Sequence, residues 1–286
     1  MTMTTRQSKQ FLAKQFPVKQ FLAHVFVLGL VAVMLLPVAY MVLMSFRNGQ
    51  EVVNAPLALP EHWRFENYAN AYEKMSYLRS ILNSLGTTIA VTIAVSFTGA
   101  LAAYPLSRSK SRSTQVTISL LSLCLATPSF VTITPIYETF ARIGLLDTYL
   151  GIILAFTALN LPLAIFFYTS FIRAIPKELE EAAELDGCSQ FQIFWYVIRP
   201  LLGPATATLS LFVMLMVWND FIYPLLLLTD DKKFTVMMSV YHFVGNHSLN
   251  PEELFPAAVL GSLPLLVLFI VFQRRIVNGI TAGAVK

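Results

Sequence analysis

The chain has 286 residues, of which 56% are apolar and only 13% charged, with a formal net charge of +4. Together with a mean hydropathy of +0.64, this composition excludes a soluble globular domain of such length. The two cysteines, Cys124 in an apolar run and Cys188 in a polar linker, supply neither a disulfide pair nor a metal site.

A helix needs about 20 predominantly apolar residues to cross a bilayer core. In chain order, six segments meet or approach that length: 21–45, 80–106, 114–136, 149–172, 201–228 and 254–272. All but the fifth lack Asp, Glu, Lys and Arg through their centres; the fifth carries Asp220 late in its run. Pro256 and Pro264 interrupt the sixth, and Pro37, Pro128, Pro135 and Pro162 punctuate others. The linkers are too short to wrap these runs in a soluble shell, and the short alternating segments of a membrane β-barrel are absent. The expectation is an all-α, polytopic membrane protein with six transmembrane helices.

The basic residues set an orientation. Arg6, Lys9, Lys14 and Lys19 precede the first run, Arg108, Lys110 and Arg112 join the second to the third, and Arg274, Arg275 and Lys286 follow the last. With six spans these regions share one side, so both termini are expected in the cytoplasm. The first run is about 25 residues long with no small-x-small cleavage pattern after it, which reads as an uncleaved anchor. Its flanking bases suit anionic lipid head groups rather than nucleic acid. Residues 46–79 form the longest outer loop, holding Pro56, Pro60, Trp63, Phe65 and Tyr68. The expected organisation is a tail, first span and outer loop over 1–74, a transmembrane domain over 75–273, and a cytoplasmic tail over 274–286.

Between the fourth and fifth runs lies the most informative stretch, IPKELEEAAELDGCSQFQIFWYVIRP, from Ile175 to Pro200. Pro176 suits a first helical position, and Glu178, Glu180 and Glu181 crowd a first turn where the helix dipole favours negative charge. Gly187 after Asp186 predicts a left-handed stop. Ser189 with Gln192 three residues on predicts a capping box for a second helix, with Phe191, Phe194, Trp195 and Ile198 on one face. Pro200 is expected to end the unit. The pattern predicts a rigid helical knob.

The same residues resemble the EAA loop of permease subunits of binding-protein-dependent ABC importers: Glu-Ala-Ala, three residues, Gly, nine residues, Ile-x-Leu-Pro. Glu181, Ala182, Ala183, Gly187, Val197 and Pro200 fall on those positions; Val197 replaces Ile, and Arg199 replaces the usual Leu. Trp218-Asn219-Asp220-Phe221, the run from Asp186 to Gln192, and the tail from Gln273 to Lys286 are similar to the carbohydrate-uptake branch, in particular the second permease subunit of maltose-type importers. The resemblance covers residue 75 to the end. It implies a type I ABC importer permease fold in the bacterial inner membrane, with the EAA loop spanning 173–200. It also implies a homologous second permease subunit, two ABC ATPase subunits, an extracytoplasmic solute-binding protein and a sugar as substrate. The ATPase-coupling residues implied are Glu180, Glu181, Ala182, Ala183, Glu184, Asp186, Gly187 and Pro200. Asn246, His247 and Ser248 would form the tip of an outer loop that touches the binding protein.

Other chemistry is missing from the sequence. There is no phosphate-binding G-x-x-x-x-G-K-[ST] loop, so ATP and its Mg²⁺ are expected on a partner, with no cofactor bound by this chain. No G-x-S-x-G elbow or metal-spaced His/Cys cluster occurs, and no catalytic or metal residue is assigned. A stand-alone secondary transporter would want mid-membrane carboxylates and often an internal repeat; neither is evident. Of the polar residues within the runs, Asn83 and Asn160 are read as helix–helix hydrogen-bonding groups. Trp218, Asn219 and Asp220 fit either a polar solute path or bundle packing.

Overall fold

A computed structural model describes residues 5–245 and 250–284 of the chain, and every regular element among the described residues is helical. In chain order these are α1 (Thr5–Met44), α2 (Gly49–Asn54), α3 (Glu66–Lys74), α4 (Tyr77–Arg108), α5 (Arg112–Ala126), α6 (Ser129–Arg142) and α7 (Tyr149–Ala174). They continue as α8 (Glu178–Leu185), α9 (Gln190–Ile193), a π-helical turn (Phe194–Ile198), α10 (Arg199–Leu201), α11 (Gly203–Asn219), α12 (Ile222–Leu227), α13 (Val236–Gly245) and α14 (Pro251–Ala284). Four helices are long and apolar enough to cross a membrane, or up to six if each of two bent pairs counts as one span.

Two compact units divide the chain, Met1–Ala71 with Leu249–Val259 and Tyr72–Ser248 with Leu260–Lys286. In the first, α1 presents exposed apolar residues all round from Phe21 to Val38, the surface of a helix solvated by hydrocarbon rather than water. Beyond it the chain turns on Arg47, 1% exposed, whose guanidinium donates to the carbonyls of Glu51 (2.7 Å) and Ala55 (2.9 Å). Asn67 donates to the carbonyls of Ser45 and Arg47, so the turn's buried backbone oxygens are satisfied by side chains. The rings of Trp63, Phe65 and Tyr68 gather around Phe46 at 5.1–5.2 Å. The long loop thus has its own small core.

The second unit is built on α4 and α7. A Cβ added at Gly99 would lie 2.7 Å from the Cβ of Ala164, so the two helices meet almost backbone to backbone. Val91, Val95, Ala103, Ile152, Ala155 and Ile172 fill this seam, and Leu209 and Val213 of α11 close over it. At the end of the unit remote from the knob, Asn83 donates to the carbonyls of Lys232 and Phe234 and accepts from Tyr149. It ties the loop after α12 to the bundle. Asn160 donates to its own helix at Phe156, rather than to a neighbouring helix as expected.

Three boundaries differ from the sequence expectation. The run 114–136 is broken, α5 and α6 meeting at 104°. Thr127 and Pro128 are extended there, as a residue before proline and a proline at a helix start favour. The fifth run starts earlier and ends earlier than 201–228: Gln190–Leu201 bends by 74° into α11, which stops at Asn219. Pro256 and Pro264 do not interrupt α14, because a membrane helix accommodates proline where neighbours satisfy the freed carbonyl.

Candidate functional site: a clamped two-helix knob

Helix α8 begins at Glu178, two residues after Pro176, and Glu178, Glu180 and Glu181 occupy its first turn. Asp186 caps its end and Gly187 follows at φ +84°, the left-handed conformation that a Cβ disfavours. Ser189 then accepts from the Gln192 backbone N–H while the Gln192 side chain accepts from the Ser189 N–H, completing the capping box. Both elements read from the sequence are present.

The second helix does not end at Pro200. It widens into a π turn over Phe194–Ile198, with the Arg199 N–H bonded to the Phe194 carbonyl, and continues to Leu201. Proline has no N–H for the carbonyl four residues back, and a wider turn absorbs that missing bond. The break falls at Leu202, where Gly203 and Pro204 open α11. Phe194 and Ile198 are buried as expected, whereas Phe191 is exposed and stacks on Trp195.

A partly buried clamp that the sequence does not announce holds the knob to the bundle. Arg108, at the last turn of α4, pairs with Glu180 through both Nε (2.7 Å) and Nη2, and donates to the Ile175 carbonyl at 3.1 Å. Tyr104, one turn earlier, donates to the other Glu180 oxygen (3.0 Å) and to Gln190 (3.2 Å). The side chains of Arg108 and Glu180 are 15% and 12% exposed. One network therefore fastens the ends of α4 and α7 to α8 and α9. Glu180, expected with Glu181 and Glu184 at an outer face, is turned inward and fully engaged.

The outer surface of the knob has a different character. Glu181, Ala182, Glu184 and Asp186 are exposed, Ala183 is half-buried against the core, and Leu185 is 90% exposed. Nothing in the sequence marks Leu185 as exposed, since an apolar residue late in an amphipathic helix reads as core. Glu184 accepts from Gln190, bracing the two helices across Gly187.

The remaining candidates lie apart from the knob. Trp218 is 3% exposed, lines an apolar cavity between α4, α11 and α14, and its indole N–H has no partner among the described residues. Asn219 is exposed and donates only to the Leu215 carbonyl of its own helix. Asp220 accepts from the Tyr223 N–H and so starts α12 after the chain breaks. Trp218 and Asn219 thus do not converge on one pocket. Asn246, His247 and Ser248 lie outside the described residues. No group of three or more His, Cys, Asp or Glu suited to a metal occurs among the described residues.

A second polar node sits at the far end of the unit. Asp147, at φ +55°, accepts from the N–H groups of Thr229 and Asp230 and from Lys233 Nζ at 2.8 Å, while its own N–H donates to Leu227. The Lys233 ammonium first, then the two backbone donors, hold the Asp147 carboxyl down at about 2. Lys233 is correspondingly pushed up by Asp147.

A bundle of bent apolar helices carrying a rigid polar knob is the architecture of a transporter's membrane subunit, and comparison with known proteins makes that specific. The chain belongs to the family of binding-protein-dependent transport system inner membrane components, whose profile matches residues 95–282. It is 32% identical to the diacetylchitobiose uptake system permease protein NgcG of Streptomyces coelicolor, over 93% of this chain and 88% of the relative. It is 33% identical to the melibiose/raffinose/stachyose import permease protein MelC of Bacillus subtilis, over 79% and 83% respectively. Its fold is similar to that of a bacterial ABC transporter involved in the import of the acidic polysaccharide alginate (TM-score 0.72, 23% identity, covering 96% of this chain and 99% of that one). The chain is therefore a multi-pass permease subunit of an ABC importer with the type I fold. ATP hydrolysis belongs to a separate subunit, and a stand-alone carrier is not favoured.

Proposed function

We propose that this chain is one of two homologous permease subunits of an importer for a sugar or oligosaccharide, with the knob as the docking surface for an ATPase. The build of the knob carries this reading: two short helices set at a fixed angle by Gly187, clamped inwardly through Glu180, with Glu181, Ala182 and Leu185 exposed at the tip. Leu185 offers an apolar anchor and Glu181 a charge for Arg or Lys on the partner. Ala182 and Ala183 allow close approach.

Two ATPase subunits hold ATP and Mg²⁺ on the knob side, and this chain binds no cofactor. An extracytoplasmic solute-binding protein meets the opposite side, with Asn246, His247 and Ser248 as its contact. The basic residues around Arg108 and in the terminal tails support a cytoplasmic position for the knob and both termini, in the inner membrane of a bacterial cell. ATP-driven closure of the ATPases displaces the knob, and the clamp passes that displacement to α4 and α7, turning the bundle from inward- to outward-facing. Asn219, exposed and without an interhelical partner, contributes to the solute path beside Asp220, whereas buried Trp218 faces the apolar cavity instead. Relatives named for diacetylchitobiose and for melibiose, raffinose and stachyose support an oligosaccharide as cargo.

Uptake of a panel of labelled di- and trisaccharides by cells with and without this gene tests the reading. Uptake should be lost on deletion, return with the chain, and fail to return when the cognate ATPase gene is also removed. Uptake that persists without the ATPase would overturn it. With Cys124 replaced by Ser, a membrane-impermeant thiol reagent should reach Cys188 only from the cytoplasmic face.

A further inference from the structure

The α4–α11 seam is open along one side, and its chemistry is graded. Near the knob it holds a cavity of about 300 Å³ walled by Ser96, Thr206, Ser210 and Tyr168, with Arg199 at its edge. Tyr168 donates to Thr206 at 2.9 Å and also meets the Ser96 hydroxyl, while the Ser96 and Ser210 hydroxyls stand 3.5 Å apart, a long contact that leaves Ser210 weakly engaged. Arg199 is exposed, lies 4.3 Å over the Trp195 ring, and has no acidic partner among the described residues. Further along, a second, apolar cavity of about 140 Å³ lies between these two helices and α14, walled by Leu85, Ile89, Leu211, Trp218, Leu265 and Phe269. From Phe97 to Leu85 along α4 is about 18 Å at the helical rise of 1.5 Å per residue, close to half the ~30 Å hydrocarbon core. Ile93 and Phe97, 64% and 49% exposed, line the opening of the polar cavity.

A cation at one end, hydroxyls beside it and an apolar cavity further along match the parts of a phospholipid in order: phosphate, ester linkage, acyl chain. We propose that this groove is a binding site for an anionic phospholipid, its phosphate on Arg199, its glycerol esters at Ser96 and Ser210, and one acyl chain along α4 and α11 toward Trp218. The stacking of Arg199 on Trp195 fixes the guanidinium at the mouth, so that ordering it for a phosphate loses little side-chain freedom. This requires only that the chain lies in a membrane, and so stands apart from the identity of the transported solute.

The test uses the assembled transporter in nanodiscs of equal parts phosphatidylglycerol and phosphatidylcholine, with mass spectrometry of the lipids that survive detergent exchange. Phosphatidylglycerol should be retained at least fivefold over phosphatidylcholine. Arg199→Gln and the groove-filling Ser96→Leu should each bring the ratio to that of the bulk, whereas Arg173→Gln, outside the groove, should leave it unchanged. Millimolar inorganic phosphate should not displace the lipid. Equal retention of both lipids, enrichment that survives Arg199→Gln, or displacement by phosphate would overturn the assignment, the last by exposing a free-anion site. A photo-crosslinker at Phe97 that captures a partner-subunit helix instead of lipid would overturn it as well. Ser96→Ala, which keeps the groove open, guards against misfolding of Ser96→Leu and should retain most of the enrichment.

Discussion

Replacing Glu180 with Gln keeps the shape of the side chain and removes its charge, leaving the Arg108 guanidinium at the knob–bundle junction without its counterion. Breaking one side of a buried ion pair costs about 3–5 kcal/mol. Because Arg108 and Glu180 retain 15% and 12% exposure, water can partly replace the lost partner, and the low end of that range, about 3 kcal/mol, is the reasonable expectation. At 1.4 kcal/mol per tenfold, the clamped arrangement would become roughly a hundredfold less favoured against an undocked one. The helices themselves have no reason to unfold, since Gly187 and the Ser189 capping box are untouched. The variant should therefore reach the membrane in normal amount and still bind its ATPase through the exposed tip, yet lose sugar uptake per ATP hydrolysed by tenfold or more. Arg108→Glu combined with Glu180→Arg should recover part of that loss, which neither single change would. Measuring uptake and ATP hydrolysis on the same vesicles decides the matter. Normal uptake per ATP in Glu180→Gln, at normal abundance, would refute the idea that the clamp transmits force.

Three further outcomes follow from the geometry. Gly187→Ala meets no neighbouring atom within 4 Å, so its cost should be the left-handed strain alone, about 1 kcal/mol, with reduced uptake; Gly187→Pro, whose φ is fixed negative, should abolish uptake while the protein remains in the membrane. Asp147→Asn tolerates the positive φ but loses the charge facing Lys233, and hydrogen exchange in the loop 228–235 should rise less than in Asp147→Ala. With the Asp147 carboxyl held at about 2, its stabilising share is complete above pH ~4 and is lost as pH falls toward 2, so protection of that loop should fade across this window in the wild type and stay flat in Asp147→Asn. Asn219→Leu removes a side chain bonded only to its own helix, so abundance measured by immunoblot should not change; a fall in uptake at unchanged abundance assigns Asn219 to the solute path, and unchanged uptake removes it from that role.

What the sequence made legible was local. The turn at Gly187 needs a residue free of Cβ strain, and the capping box needs Ser189 and Gln192 at fixed spacing; both requirements are met within a few residues. The apolar runs likewise announced an all-helical, multi-pass chain, with four to six helices or bent pairs able to cross a membrane. What depended on distant partners was hidden. Glu180 and Arg108 are 72 positions apart, and nothing in the local pattern separates an inward Glu180 from an outward Glu181. Pro200 reads as a terminator because proline disfavours helix at the residue before it, but a π turn lets the helix pass through to Leu201. The bend at Thr127–Pro128 and the continuity through Pro264 are opposite outcomes at similar residues: the Leu260 carbonyl freed by Pro264 accepts from the distant Tyr77 hydroxyl, whereas the Cys124 carbonyl is taken by the Thr127 N–H as the chain turns.

The contact between Gly99 and Ala164 has a mechanical meaning. Where two helices touch through longer side chains, each can slide along the other as rotamers readjust. At this one contact there is no side chain to readjust, and a shift of one residue would drive the Thr98 or Ala100 side chain into the space that Gly99 leaves open. The contact therefore resists slip between α4 and α7, so that a push on the Arg108 end is carried by both helices together.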